Sequence, residues 1–137
     1  MGRKDIEVGR DPAELRRFEE RLLADADALE QLLEGKRFET GIRRIGLEQE
    51  LFLIDEHGRP VARSMEVLES LGGPGTIYQP ELAQFNVEVA LSPLVIEGGC
   101  LTKLERDLRK HLAAVQRAAQ RHGVDAVAIG ILPTLGW

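Results

Sequence analysis

Two stretches of this chain alternate between apolar and polar residues. A period of two admits only a sheet whose faces differ in character. In residues 83–91, AQFNVEVAL, the side chains of Phe85, Val87, Val89 and Leu91 fall on one side. Gln84, Asn86, Glu88 and Ala90 fall on the other. Residues 43–54 read as a second strand and contain GLEQELFLID. There an apolar run is interrupted by Glu48 and Glu50, two positions apart and so on one face. DEHGRP then reads as a turn, with Val61 to Arg63 as a short returning strand.

Between and around these strands lie helical patterns. Residues 11–34 open with DPAE, in which Asp11 caps, Pro12 suits the first turn and Glu14 can close a capping box. Leu15, Phe18, Leu22, Leu29 and Leu33 form its apolar stripe, and Gly35 ends it. Ser64 starts a short helix to about Leu71, stopped by GGPG. A long helix over 101–122 places Leu101, Leu104, Leu108, Leu112, Val115 and Ala119 on one side, with Gly123 as its stop. The apolar run VDAVAIGILP follows and is expected to be a central strand.

The 137 residues amount to about one domain. No repeat or linker divides them, so residues 1–137 are expected to form a single domain. The 43% hydrophobic content suffices for one modest core. Because the chain stops soon after a strand that looks buried, it is expected to be part of something longer, or to be completed by a partner chain.

Alternation brings Glu48, Glu50 and Glu88 to polar strand faces, and Glu81 lies just before the second strand. If the strands share a sheet, four carboxylates converge. Two such charges about 4 Å apart repel by about 4 kcal/mol at an effective dielectric near 20. Water on an open sheet face, protonation, or a divalent cation would each relieve this. Oxygen ligands of this kind select Mg²⁺, Mn²⁺ or Ca²⁺ rather than zinc.

Other features exclude more than they suggest. A net charge of −5 argues against a nucleic-acid partner. MGRKDIEVGR lacks the apolar core of a signal peptide, and Ile6 breaks the myristoylation pattern. No apolar run reaches membrane-spanning length, so a soluble cytoplasmic protein is expected. No phosphate-binding loop, glycine-rich nucleotide fingerprint or HExxH is present. The lone Cys100 is read as a structural thiol. His57 is read as solvated in its turn, His111 as packing beside the apolar stripe, and His122 as favourable to its helix C-terminus.

GLEQELFLID, YQPELAQFNVEVALSP and AIGILPTLGW resemble, in order, the N-terminal part of the glutamate–cysteine ligase family. The likeness is greatest to its bacterial branch, which includes actinobacterial carboxylate–amine ligases. It implies an α+β fold: an antiparallel sheet with helices packed on one face, part of an architecture shared with glutamine synthetase and the guanidino kinases. It implies ATP-dependent phosphorylation of the γ-carboxylate of glutamate, followed by attack of the amino group of cysteine, or of another amine, on the acyl phosphate. Glu48, Glu50, Glu81 and Glu88 match the sheet carboxylates that hold Mg²⁺ in the family, and Gln84 and Asn86, which share that face, are expected to touch substrate. No residue of this chain is assigned a catalytic role. Many relatives carry Gly-x-His where this chain has Gly130, Ile131 and Leu132, so any role of that histidine is absent or replaced.

Family enzymes are several times longer. The remaining ATP, metal and acceptor residues are therefore expected beyond Trp137, and the isolated chain is expected to be inactive. The alternative is a non-catalytic module derived from such a ligase, which binds partners or itself through an exposed sheet edge or apolar face.

Overall fold

The computed structural model describes residues 11–75 and 77–135. The charged stretch read for targeting signals, residues 1–10, and the terminal residues 136–137 lie outside the described residues. The chain divides into two compact units, Met1–Ile42 and Arg43–Trp137.

The first unit contains α1, Pro12–Glu34. Asp11 caps it as predicted, its carboxylate accepting from the Ala13 N–H at 3.0 Å. Gly35 follows the last turn, and its N–H donates to Gln31 O. The predicted stripe of Leu15, Phe18, Leu22, Leu29 and Leu33 forms, but all five side chains are exposed. No residue of α1 is buried.

The second unit is a four-stranded antiparallel sheet with two helices, an α+β arrangement. Its strands are β1 (Arg44–Ile54), β2 (Tyr78–Pro80), β3 (Asn86–Val95) and β4 (Asp125–Val127), in the order β2-β3-β1-β4. The helices are α2 (Ser64–Glu69) and α3 (Cys100–Arg121). The two long strands make the centre, with Leu47 opposite Leu91, Gln49 opposite Val89 and Leu51 opposite Val87. Alternation sends Leu51, Leu53, Val87 and Val89 to one face. There they bury against Val67 and Leu68 of α2 and Val115, Ala118 and Ala119 of α3. Sequestering each of the larger side chains contributes about 1.5–3 kcal/mol. Gly123, at φ +70, ends α3 in the left-handed conformation that glycine adopts without strain.

Several expectations change. The second strand begins at Asn86, not at residue 83, because residues 81–85 form a turn in which the Asn86 N–H donates to Ala83 O. Gln84 is therefore exposed in that turn and off the strand. Phe85 does not join Val87; it stacks on Phe52, from the opposite face, at 6.1 Å between ring centroids. The strand also runs past Leu91 to Val95, because Ser92 and Pro93 together oppose Gly46 in a bulge. That extra residue breaks the alternation, so the sequence pattern stops short.

The apolar run after Gly123 is not a central strand. Only Asp125–Val127 pair, at the sheet edge opposite Phe52–Ile54. A continuous apolar run carries no period with which to tell strand from loop. Beyond it Leu132 is buried, and Thr134 Oγ1 donates to Gly58 O. Where Val61–Arg63 read as a returning strand, a single bridge joins Ile54 to Pro60. The turn before it forms as expected. The Asp55 carboxylate accepts from the N–H groups of Arg59 and His57, which lowers its pKa from the ordinary aspartate value. No helix among the described residues is long and apolar enough to cross a membrane.

Candidate functional site

The helices cover one face of the sheet, and the other gathers the carboxylates. On β1, Glu48 and Glu50 share this face with Phe52; on β3, Asn86 and Glu88 share it with Ala90. Glu50 stands directly opposite Glu88, and Glu48 opposite Ala90. On the far side of β3, Gln79 of β2 also stands opposite Glu88. Glu88 is thus flanked across both ladders, and Glu81 approaches from the turn after β2 within hydrogen-bonding reach of it.

This crowding has an electrostatic consequence. Burial is the first cause raising the pKa of Glu88 above the ordinary glutamate value. The hydrogen bond with Glu81 and the negative charges of Glu48, Glu81 and Glu50 act in the same direction. Glu48 and Glu50 are exposed and keep access to water, whereas Glu88 is half-buried. Antiparallel pairing places like charges side by side here, an arrangement that destabilises a sheet unless something offsets it.

Asn86 supplies a second unmet demand on the same face. Its side chain is 9% exposed, and Oδ1 has no hydrogen-bond partner among the described residues. An orphaned buried carbonyl costs about 1–3 kcal/mol. Along the free edge of β1 an open groove of about 500 Å³ is lined by Glu48, Gln49, Glu50, Ala128, Ile129 and Gly130.

Of the predicted site residues, then, Glu48, Glu50, Glu81 and Glu88 come together, and Asn86 joins them. Gln84 does not, because it belongs to the turn. Its backbone instead accepts from the Ser64 N–H. Among the described residues, no group of three or more His, Cys, Asp or Glu side chains is arranged to hold a metal ion. The carboxylates form an open platform rather than a closed cage.

Sequence reasoning missed Gln79, because a three-residue strand containing a proline is too short to show a period. It also missed the Ala128–Gly130 wall, which it read as strand. Leu132 is 5% exposed and serves packing. The histidines of this chain lie away from the platform. His57 is in the exposed turn, His111 contacts Tyr78 on the helix side, and Nε2 of His122 lies 2.7 Å from Ser70 Oγ. Cys100 opens α3, half-buried and without a disulfide.

A relative in Mycolicibacterium smegmatis, named "Putative glutamate--cysteine ligase 2-3", is 34% identical over 95 residues. The similarity covers 66% of this chain and 24% of that protein, so the chain spans about a quarter of the length of the relative it matches. No solved structure matches the chain. The sequence model of glutamate-cysteine ligase family 2 matches residues 44–137. That match enters at Arg44, the first residue of β1, and takes in every strand and turn that builds the carboxylate face. The chain belongs to glutamate-cysteine ligase family 2.

Proposed function

We propose that this chain supplies the Mg²⁺-binding carboxylate face of an ATP-dependent ligase that joins glutamate to cysteine or to another amine. In that reaction the γ-phosphoryl group of ATP passes to the γ-carboxylate of glutamate and ADP leaves. The amine then attacks the acyl carbon, and phosphate leaves as the amide forms. The sheet would be one part of a glutamine-synthetase-like catalytic domain working in the cytoplasm, with the remaining ATP and acceptor contacts supplied by other residues of the complete ligase.

The observation that carries this reading is the placement of Glu88. It is half-buried, lies directly opposite Glu50 and is joined to Glu81, on the face of the sheet away from α2 and α3. An all-oxygen donor set suits Mg²⁺, which usually takes one or two carboxylates and fills its other positions with water and phosphate oxygens. An open platform fits that requirement better than a closed cage does. Glu88 with Glu50 or Glu81 would hold the ion, Glu48 would add negative charge at the groove, and Asn86 Oδ1 would accept from a substrate donor. A bound Mg²⁺ would neutralise phosphate charge and polarise the phosphoryl group. The side chains themselves position, because phosphoryl transfer needs placement more than covalent help from the protein.

The test is a calorimetric Mn²⁺ titration of the chain. Glu50→Gln is expected to weaken binding several-fold, a modest loss because Glu50 is exposed. Equal affinity in wild type and variant would return these carboxylates to the role of a solvated sheet face.

A second reading, a self-associating module, draws on one observation. β4 covers only Phe52–Ile54 of β1. Residues 44–51 face no further strand on that side among the described residues. Open edges of this length recruit other strands. Sedimentation at rising concentration is expected to show dimers on this reading, and a clean monomer throughout would remove it.

A further inference from the structure

β2 is a three-residue edge strand whose ladder with β3 spans Val87–Val89, extended by one hydrogen bond from the Ala90 N–H to Ile77 O just before it. It follows a glycine-rich turn in which Gly72 and Gly73 hold φ of +99 and +87. So short a ladder, entered through residues of high backbone freedom, does little to fix the strand by itself. Yet β2 and the turn after it carry two groups of the platform: Gln79 opposite Glu88, and Glu81 hydrogen-bonded to Glu88.

The strand has an anchor on its other face. Tyr78, next to Gln79, turns toward the helices and packs against the core. Its hydroxyl lies 2.7 Å from Nδ1 of His111 on α3, and the two rings meet edge to face at 5.5 Å. α3 is itself fixed, because Leu104, Val115, Ala118 and Ala119 are buried. Burial raises the phenol pKa more than the positive charge of Arg117 lowers it, so the hydroxyl keeps its proton. It can donate to Nδ1, or accept from it in the other imidazole tautomer.

We propose that Tyr78 and His111 are positioning residues. By tying β2 to α3 through the helix side of the sheet, they set Gln79 and Glu81 against Glu88 on the opposite side. The platform is then adjusted from behind, by a pair that never touches its ligand. This rests on the cation-binding reading of the carboxylate face.

Tyr78 is the sole tyrosine of the chain, so ¹³C-tyrosine labelling gives a single reporter. Titration with Mg²⁺ is expected to shift its ring resonances with the same midpoint as calorimetric binding. Tyr78→Phe and His111→Leu are expected to weaken Mg²⁺ binding by about tenfold, the usual scale for losing a partner that orients a ligand. His111→Asn keeps a hydrogen-bonding atom near the Nδ1 position and is expected to recover most of that affinity, with far-UV circular dichroism unchanged in all three. Wild-type affinity in both Tyr78→Phe and His111→Leu overturns the positioning role. So does a loss that His111→Asn fails to rescue, since the residues then serve packing alone. Glu88→Gln separates the two ideas. If it binds Mg²⁺ as wild type does, the cation reading fails and the positioning role fails with it. If it binds more weakly while Tyr78→Phe does not, only the positioning role fails.

Discussion

Leu53→Ala is expected to lower the unfolding free energy by about 2–5 kcal/mol, the range for emptying a buried leucine site. Leu53 is 0% exposed and sits on β1, opposite Ala126 of β4 and just past the end of the pairing with β3. Its side chain lies in the cluster that joins the sheet to α2 and α3. Relaxation is limited because both backbone groups are bonded: its N–H donates to Phe85 O, and its carbonyl accepts from the Val61 N–H. Domains of this size hold about 5–15 kcal/mol in total, so one substitution would consume a large share. Chemical denaturation would measure it. A loss below about 1 kcal/mol would mean that the sheet and helices are less tightly joined than their geometry implies.

Glu88→Gln is expected to act in opposite directions with and without a divalent cation. Without one, the half-buried carboxylate is penalised by burial and by its acidic neighbours, so its pKa is raised in the folded chain. A raised carboxyl pKa contributes stability below the unfolded value, and that contribution is lost as pH rises through the folded value. The glutamine variant, neutral throughout, is therefore expected to gain stability over wild type as pH climbs from acid to neutral. With Mn²⁺ or Mg²⁺ present the order reverses, because the variant loses a central donor. Affinity is expected to fall by about 10–100-fold, or about 1.4–2.8 kcal/mol. Thermal melts across pH, with and without cation, would check both halves. A variant as stable as wild type at neutral pH and unchanged in its response to Mn²⁺ would show that Glu88 is neither penalised nor used.

The parts of the fold that alternate strictly, or that carry caps, were legible in the sequence. β1 follows its pattern, α1 begins at its aspartate cap, and α3 stops at Gly123. The carboxylate face was legible for the same reason, since Glu48, Glu50 and Glu88 obey the period of the pleat. Failures occurred where a second rule competed with periodicity. Phe85 matches the apolar register of Val87 yet lies in a turn, where aromatic stacking on Phe52 decides its direction. Ser92 and Pro93 end the alternation without ending the strand. The run after Val127 does not pair; of its larger side chains Leu132 is buried, whereas Ile129 and Ile131 are exposed. Gln79 could be found only from the sheet order, which brings β2 beside β3.

The bulge at Ser92 and Pro93 does more than lengthen a strand. In an even ladder, a slip of one residue costs only the repacking of side chains, and it exchanges one face for the other. On β1 such a slip would drive Glu48 and Glu50 beneath α3 and expose Leu51 and Leu53. The bulge admits a single alignment, in which the surplus residue falls opposite Gly46 and Pro93 needs no ladder partner. It therefore ties the register of β1 and β3 to the arrangement in which Leu51 and Leu53 meet the helices and Glu48 and Glu50 face away from them.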